Sequence, residues 1–188
     1  MNGVLVDHPD GWVGIPTLPN DRWSTVRAWS EELVESYEVA FGAPTPEQAD
    51  TMTDYLDKIV ATTGDRGADR SYIYTNGWAG PLFLVDMNVL EGAGWKETTI
   101  ELLVNAEDPD AVEKPITRAF TTDSGLEGLS SVRYLDAPGV GGIVAAADVA
   151  IRISNGYVLF RTAQVDLVAF EKVVRLLEAL AQTVRLAP

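Results

Sequence analysis

The C-terminal part of the sequence contains the pattern that most constrains the fold. Every second residue from Ile143 to Ile153 is apolar, which is the period of a β-strand with one buried face. Asn155-Gly156 is a hairpin-turn signal, and Tyr157 to Ala163 predicts an antiparallel return strand. Asp166 is placed to cap a terminal helix, whose apolar stripe runs from Leu167 to Val184. This ending predicts an antiparallel sheet with a helix packed on one face.

Two amphipathic helices are predicted before the first long strand. The first begins at Asn20 or Asp21 and carries an apolar stripe from Trp23 to Phe41, at the spacing of a half-buried helix. Its paired tryptophans are interpreted as core residues, with a ligand-stacking platform as the alternative. The second helix begins at Pro46, where the preceding residue can form a capping box, and it ends at Gly64.

A first hairpin and an ambiguous segment occupy the middle of the chain. Tyr72-Ile73-Tyr74 and Trp78 to Leu90 predict two strands that are joined at Asn76-Gly77. Pro81 indicates a sheet edge or a bulge, because proline cannot donate a hydrogen bond to a neighbouring strand. Residues 98–121 are compatible with strand or helix, and strands are favoured at both ends of this range.

This order of elements predicts the α+β class. We expect two N-terminal helices, a mostly antiparallel sheet of about five to seven strands with two Asn-Gly hairpins, and a C-terminal helix packed on the sheet. The chain has 188 residues, without an internal repeat or a long linker. Residues 1–188 are therefore expected to form one domain.

Composition excludes several chemistries. The chain has no cysteine and a single histidine, His8, which excludes disulfides, thiolate zinc sites and iron–sulfur clusters within one chain. Asp50, Asp54 and Asp57 could line a metal site on the second helix, but a solvated acidic face is the preferred interpretation. We therefore expect no metal and no cofactor.

The net charge of the chain limits the kinds of partner that it is expected to bind. The formal net charge is −14, and residues 1–100 hold 16 of the 28 acidic residues but only 6 of the 14 basic ones. Such a chain is not expected to bind nucleic acid or an anionic membrane, which both require clustered basic residues. The start, Met1 to Asp7, has neither the basic nor the apolar region of a signal peptide. A cytoplasmic protein is therefore expected.

Polar residues within the predicted strands are the candidate site. Asp86 lies in an otherwise apolar strand, where its carboxyl group could lose solvent, and Asn88 follows on the same face. Arg133, Arg152 and Arg161 also fall within strands. Any of these arginines could pair with Asp86 or bind an anion, although outward-facing, solvated sheet charges are the simpler interpretation.

Trp12 is a further candidate, because an aromatic side chain in a turn-rich N-terminal arm must be buried either on the core or against a partner. The core is the preferred environment, and the arm as a partner surface is the alternative.

The segment from about Ser130 to Leu186 resembles the closing half of the Mog1/PsbP-like α/β/α sandwiches. A strand at Ser130, a glycine-rich link at residues 137–142, a long hairpin and a terminal helix follow in the same order. The resemblance covers less than a third of the chain, and the two opening helices depart from the pattern. It implies a small accessory protein that binds partners, and it implies no functional residues. The frequent Ala, Arg and Asp also resemble the composition of small actinobacterial proteins.

The expected function is that of a non-catalytic, soluble binding or adaptor protein, with chaperone-like accessory proteins as one version. Its partner would be another protein or a second copy of the chain. The alternative is a small-ligand-binding protein or hydrolase that uses Asp86 with a strand arginine. An enzyme is less favoured, because acid–base chemistry would have to proceed without cysteine and with His8 alone.

Overall fold

The computed structural model describes residues 3–18, 20, 22–63, 66–78, 82–95 and 97–187. Strands and helices alternate in blocks along these residues, and short 3₁₀ turns follow β4 and β6. The strands are β1 (Val4–Val6), β2 (Trp12–Gly14), β3 (Arg70–Tyr74), β4 (Phe83–Glu91), β5 (Ile116–Thr121), β6 (Glu127–Ala137), β7 (Gly142–Ile153), β8 (Gly156–Gln164) and β9 (Val184–Leu186). The helices are α1 (Val26–Phe41), α2 (Pro46–Thr63), α3 (Ile100–Leu103) and α4 (Leu167–Gln182).

Seven strands form one antiparallel sheet in the order β2-β3-β4-β8-β7-β6-β5. The predicted α+β class and the mostly antiparallel sheet are therefore confirmed. A second, two-stranded sheet pairs β1 with β9. Two hydrogen bonds of 3.1 Å from the Arg185 guanidinium to the Asp7 carboxylate reinforce this pair, and they hold the pKa of Asp7 below its ordinary value.

One face of the large sheet packs against α4, as the terminal pattern predicts. The alternating residues of β7 lie on this face, with Val149 and Ile151 fully buried. Phe170 and Leu177 of α4 cover them. The Asp166 carboxylate caps this helix by accepting hydrogen bonds from two backbone N–H groups of its first turn. This face is the main apolar core.

The opposite face is covered at both ends. Helices α1 and α2 pack over β2, β3 and β4, where Trp29 and Leu56 are buried against Ile73. The short helix α3 packs over β7 and β8, where Leu103 lies against Leu159. A band of polar residues remains between these two apolar clusters.

Helix α1 begins later than the sequence predicts. It starts at Val26, because the Thr25 side chain accepts a hydrogen bond from the Ala28 N–H and so forms the N-cap. Trp23 therefore precedes the helix. The predicted start of α2 is confirmed, since Thr45 and Gln48 exchange the two hydrogen bonds of a capping box. Three predictions fall on residues outside the described ones. They are the possible helix start at Asp21, the helix end at Gly64 and the sheet edge or bulge at Pro81.

The strand prediction at the start of residues 98–121 is wrong. A short helix, α3, forms there because the Thr99 hydroxyl accepts a hydrogen bond from the Leu102 N–H at 3.3 Å. The strand predicted at the end of this range is confirmed as β5.

The turns differ in detail from the two-residue Asn-Gly hairpins that the sequence suggests. Tyr74 pairs with Phe83, so Asn76-Gly77 lies within a longer connection, and the Trp78 indole N–H donates to the Gly42 carbonyl at 2.9 Å. In the second hairpin Ile153 pairs with Gly156. Its turn residues are therefore 154 and 155.

No helix among the described residues combines the length and the apolar character needed to cross a membrane.

Gly156 occupies a position that a side chain cannot share. Its φ is +159°, and a Cβ atom there would lie 1.8 Å from the Leu90 carbonyl oxygen of the neighbouring strand. We expect Gly156→Ala to lower the free energy of unfolding by about 2–4 kcal/mol, because the β4–β8 pair must separate. Urea unfolding followed by circular dichroism measures the change. Gly142→Ala is the matched control, because nothing lies within 4 Å of its added Cβ. Equal stability of the two variants would contradict this account.

Candidate functional site

A row of polar residues crosses the middle of the sheet on the face opposite α4. The strand register places Ser71, Asp86, Arg161, Asp148 and Ser131 side by side on β3, β4, β8, β7 and β6. This row, which we call the polar band, lies between the apolar cluster under α1 and α2 and the one under α3. Because it lies partly under these helices, its charges require partners within the protein.

Asp148 is the most buried acid of the polar band. Its side chain is 4% exposed, and it accepts hydrogen bonds from the Arg133 guanidinium and, at 3.0 Å, from the Asn105 amide. The Arg161 Nε lies 3.4 Å from its other carboxylate oxygen. Arg133 also donates to Asp108. The network therefore ties β6 and β7 to the loop after α3.

Asp108 shows the electrostatic effect of this network. Hydrogen bonds from the Asp110 backbone N–H and from the Arg133 guanidinium lower the pKa of its carboxyl group below the ordinary value. The carboxylate is thus the stable form at neutral pH.

Asp86 does not pair with a strand arginine, contrary to one sequence-based possibility. The Arg66 Nε lies 2.8 Å from its carboxylate, and the Ser71 hydroxyl donates to it at 2.7 Å. Arg161 stands directly opposite Asp86 in the register, but its guanidinium contacts Asp148 instead. The more buried Asp148 has fewer water molecules to stabilise its charge, which favours this choice.

The remaining predicted site residues lie elsewhere. The Asn88 amide donates to the Gly67 carbonyl at 2.9 Å and so fixes the loop before β3. The Arg152 guanidinium lies over the Tyr157 ring, 5.6 Å from its centroid. Trp12 is 5% exposed and packs in the core on the α4 face. Of the six predicted residues, the structure brings together Asp86, Arg133 and Arg161.

Sequence reasoning missed Asp148, although a signal was present. It is the single charged residue in the run from Val144 to Ile151, which is the same feature that singled out Asp86. The apolar alternation of this run describes only the residues that face α4, whereas Asp148 lies on the opposite face.

The polar band does not assemble a nucleophilic site. The Ser71 hydroxyl bonds to Asp86, but the single histidine of the chain, His8, contacts Tyr72 on the α4 face. A Ser–His–Asp relay therefore cannot form across the sheet. Each of its carboxylates, together with Asp108, is matched by an arginine. These contacts tie neighbouring strands and loops of the sheet together.

The acidic face of α2 also has a partner. Asp54 and Asp57 both lie 3.6 Å from the Arg27 guanidinium of α1, and Asp57 accepts a hydrogen bond from the buried Ser30. Among the described residues, no group of three or more acidic or histidine side chains is arranged to hold a metal ion.

A groove of about 450 Å³ runs along the outer edge of β2. We call it the β2 groove. Its walls come from the N-terminal arm on one side and from α1 and the segment before it on the other. They include His8, Gly14, Arg22, Trp23, Glu32 and Leu33. The two tryptophans that the sequence marked as core or ligand platform both line it, and Trp29 is itself 3% exposed.

The edge of β2 has free backbone groups at this groove. The N–H of Ile15 donates to Ser71 and the N–H of Thr75 donates to Gly11, so the hydrogen-bonded pairs fall on the odd residues of β2. In an antiparallel pair the intervening residues point their backbone groups outward. These are Trp12 and Gly14. The Trp12 N–H donates to Pro9 at 3.0 Å, and within the described residues no hydrogen bond engages the Trp12 carbonyl or either group of Gly14.

The wall of the β2 groove is held in place by polar contacts. The Trp23 indole N–H donates to the Glu32 carboxylate at 2.7 Å, and Arg22 pairs with the same carboxylate. These two hydrogen bonds, the first being the stronger influence, lower the pKa of Glu32. The Arg22 guanidinium also lies 4.5 Å from the Trp23 ring centroid. The indole is therefore held in one orientation by contacts within the chain.

A comparison of the sequence with protein-family models finds no match, and neither does a comparison with curated proteins.

We predict that the two band aspartates contribute unequally to stability. Asp148→Asn should lower the free energy of unfolding by about 3 kcal/mol, because Arg133 stays buried with a weakened partner. Asp86→Asn should cost about 1 kcal/mol, since its partner Arg66 is half exposed. Urea denaturation monitored by tryptophan fluorescence compares the variants. Equal losses, or a larger loss for Asp86→Asn, would refute the assignment.

His8 predicts a weak acid sensitivity. Contact of its imidazole with Tyr72, at a centroid distance of 5.3 Å, removes solvent and lowers its pKa. The Asp7 carboxylate opposes this shift in part, and the nearby Arg70 adds to it. The unfolded chain therefore binds a proton more readily, so stability is lost as the pH falls through and below 6.5. Urea midpoints at several pH values between about 7.5 and 5 measure this loss, with the ordinary histidine pKa in that window. His8→Gln should flatten the dependence, and an unchanged slope would exclude His8 as its source.

Proposed function

We propose that this protein is a non-catalytic binding protein that holds an extended segment of a partner protein in the β2 groove. The observation that carries the proposal is the set of open backbone groups, the Trp12 carbonyl and both groups of Gly14, beside the Trp23 indole that Glu32 holds in place. An added strand would pair with these groups, as in other complexes formed by β-strand addition.

The two sides of the β2 groove fit the alternation of a strand. Side chains of an added segment point alternately to opposite faces of a sheet. One set would contact Trp23 and Leu33 on the α1 side, and the other would contact His8 on the α4 side. Gly14 carries no side chain beside His8, where a Cβ atom would lie 3.3 Å from the imidazole. The missing side chain at Gly14 thus leaves room for the His8 imidazole on this face of β2.

Charge favours a basic partner segment. The first hundred residues hold 16 acidic and 6 basic side chains. Glu32 lines the β2 groove together with its ion-pair partner Arg22. Helix α1 adds Glu35 and Glu38 nearby in sequence, whereas Glu31 is paired with Arg27. A segment that alternates apolar residues with lysine or arginine would match both the aromatic wall and this field.

The alternative proposal, a small-ligand site or hydrolase using Asp86, has weaker support. Asp86 is already bonded to Arg66 and Ser71, so a ligand would have to displace both contacts. The accessory role implied by the resemblance to Mog1/PsbP-like proteins agrees with a binding protein.

A labelled peptide tests the proposal. The probe is a fluorescein-labelled octapeptide that alternates valine or leucine with lysine, titrated with the protein and read by fluorescence anisotropy at low salt. We expect saturable binding that Gly14→Pro weakens by about tenfold or more, because the substitution removes one backbone donor and crowds the edge. A peptide of the same charge with proline at alternate positions cannot pair as a strand and should not bind.

The matched control is Ala119→Pro, which removes an outward N–H from β5 at the other edge of the sheet. It should leave the affinity of the peptide unchanged. Circular dichroism establishes that each variant is folded. Equal binding of both peptides, or equal weakening by both proline variants, would show that non-specific charge attraction and not strand addition explains the titration.

A further inference from the structure

The opposite edge of the sheet, β5, is open along its whole length. Thr122 donates its N–H to Leu126, so the hydrogen-bonded residues of β5 are the even ones. Thr117, Ala119 and Thr121 therefore direct their backbone groups away from β6. All three are exposed, and within the described part of the chain no hydrogen bond engages these groups.

From Ile116 to Thr121, β5 has little of the usual protection of an edge, although Pro115 directly precedes it. Natural edge strands are commonly blocked by charges, prolines or bulges. The outward residues of β5 are two threonines and an alanine, and its one charged residue, Arg118, reaches toward Glu178 of α4 with a separation of 3.5 Å. Ile116, at the start of the strand, is 61% exposed. Such an edge is a template for another strand.

We propose that β5 pairs with β5 of a second copy, so that two sheets join across a two-fold axis through Ala119. In this antiparallel register Ala119 faces the partner's Ala119, and Thr117 faces the partner's Thr121. The open groups on both edges are then all engaged, in roughly six backbone hydrogen bonds.

The side chains favour this register. Arg118 faces the partner's Phe120, which places a guanidinium beside an aromatic ring on the α4 face. Phe120 already lies over Gly128 of β6, where a Cβ atom would be 2.4 Å from the ring. A register with the two-fold axis moved to Arg118 would set that residue against the partner's Arg118. A register with the axis moved to Phe120 would leave outward backbone groups of β5 unpaired.

Self-complementarity is the reason to prefer a second copy over a foreign strand. A symmetric contact repeats each favourable pair on the other side of the axis and closes without leaving a further β5 edge. The continuous sheet would then end in β2 on both sides. The dimer would carry two β2 grooves, although pairing through β5 does not depend on whether those grooves bind peptide.

Paired charges test the interface. The positive variant carries Thr117→Lys with Thr121→Lys, and the negative variant carries Thr117→Glu with Thr121→Glu. In the proposed register each substitution faces its counterpart, so like charges oppose one another within either homodimer. Sedimentation equilibrium of the wild type should show a dimer at about 100 μM chain, as expected for a specific interface.

Each variant alone should raise the dissociation constant of the dimer by about 100-fold, because like-charge pairs cost several kcal/mol. An equimolar mixture of the two should restore a dimer, now of unlike copies. Thr51→Lys with Thr62→Lys is the control for net charge, since both residues are exposed on α2, and it should dimerise like the wild type. A monomeric wild type at this concentration overturns the proposal. So does a dimer that the paired substitutions in β5 leave unchanged.

Discussion

The structure depends on the burial of β7 on both of its faces. Every residue from Ala145 to Ile151 is buried, so α4 must cover one face while α3 and the loop after it cover the other. A charged residue in such a strand is tolerated only with partners. Asp148 obtains them from Arg133, Arg161 and Asn105. This requirement fixes the loop after α3 against the sheet and so determines where the apolar cluster under α3 forms.

Elements whose periodicity comes from one large buried face are predictable from the sequence. The alternation in β7 and the stripe of α4 are of this kind, and both are confirmed over their central residues. At the ends of the predicted patterns, Ile143 and Leu167 are exposed, and Val184 lies beyond the helix in β9. The start of α1 was misjudged because apolar spacing continues through Trp23, whereas the Thr25 cap decides where the backbone becomes helical. Residues 98–104 were misjudged because a helix of one turn has too few residues to show a period, and its cap at Thr99 is the stronger signal.

The candidate site was less predictable than the fold. Arg133 and Asp86 could be singled out as charges in strands, but their partners could not, since Arg66 and Asp108 come from loops that have no period. The β2 groove depends on the long-range pairing of β2 with β3, which local spacing does not encode. The carboxylates of the polar band are paired with arginines, and we therefore place the two proposed interactions at the two edges of the sheet. The β2 edge is short and lies beside aromatic side chains, whereas the β5 edge is longer and exposed.

The small sheet of β1 and β9 joins the two extremes of the described chain. Val4 pairs with Leu186, and the Thr183 hydroxyl donates to the Asp7 carbonyl at 2.7 Å. Almost all of the described residues separate these two strands, so their pairing closes a very long loop. A contact between residues so distant in sequence is slow to form, and we expect the large sheet to assemble before it. Closure of this strand pair is therefore a late event in folding.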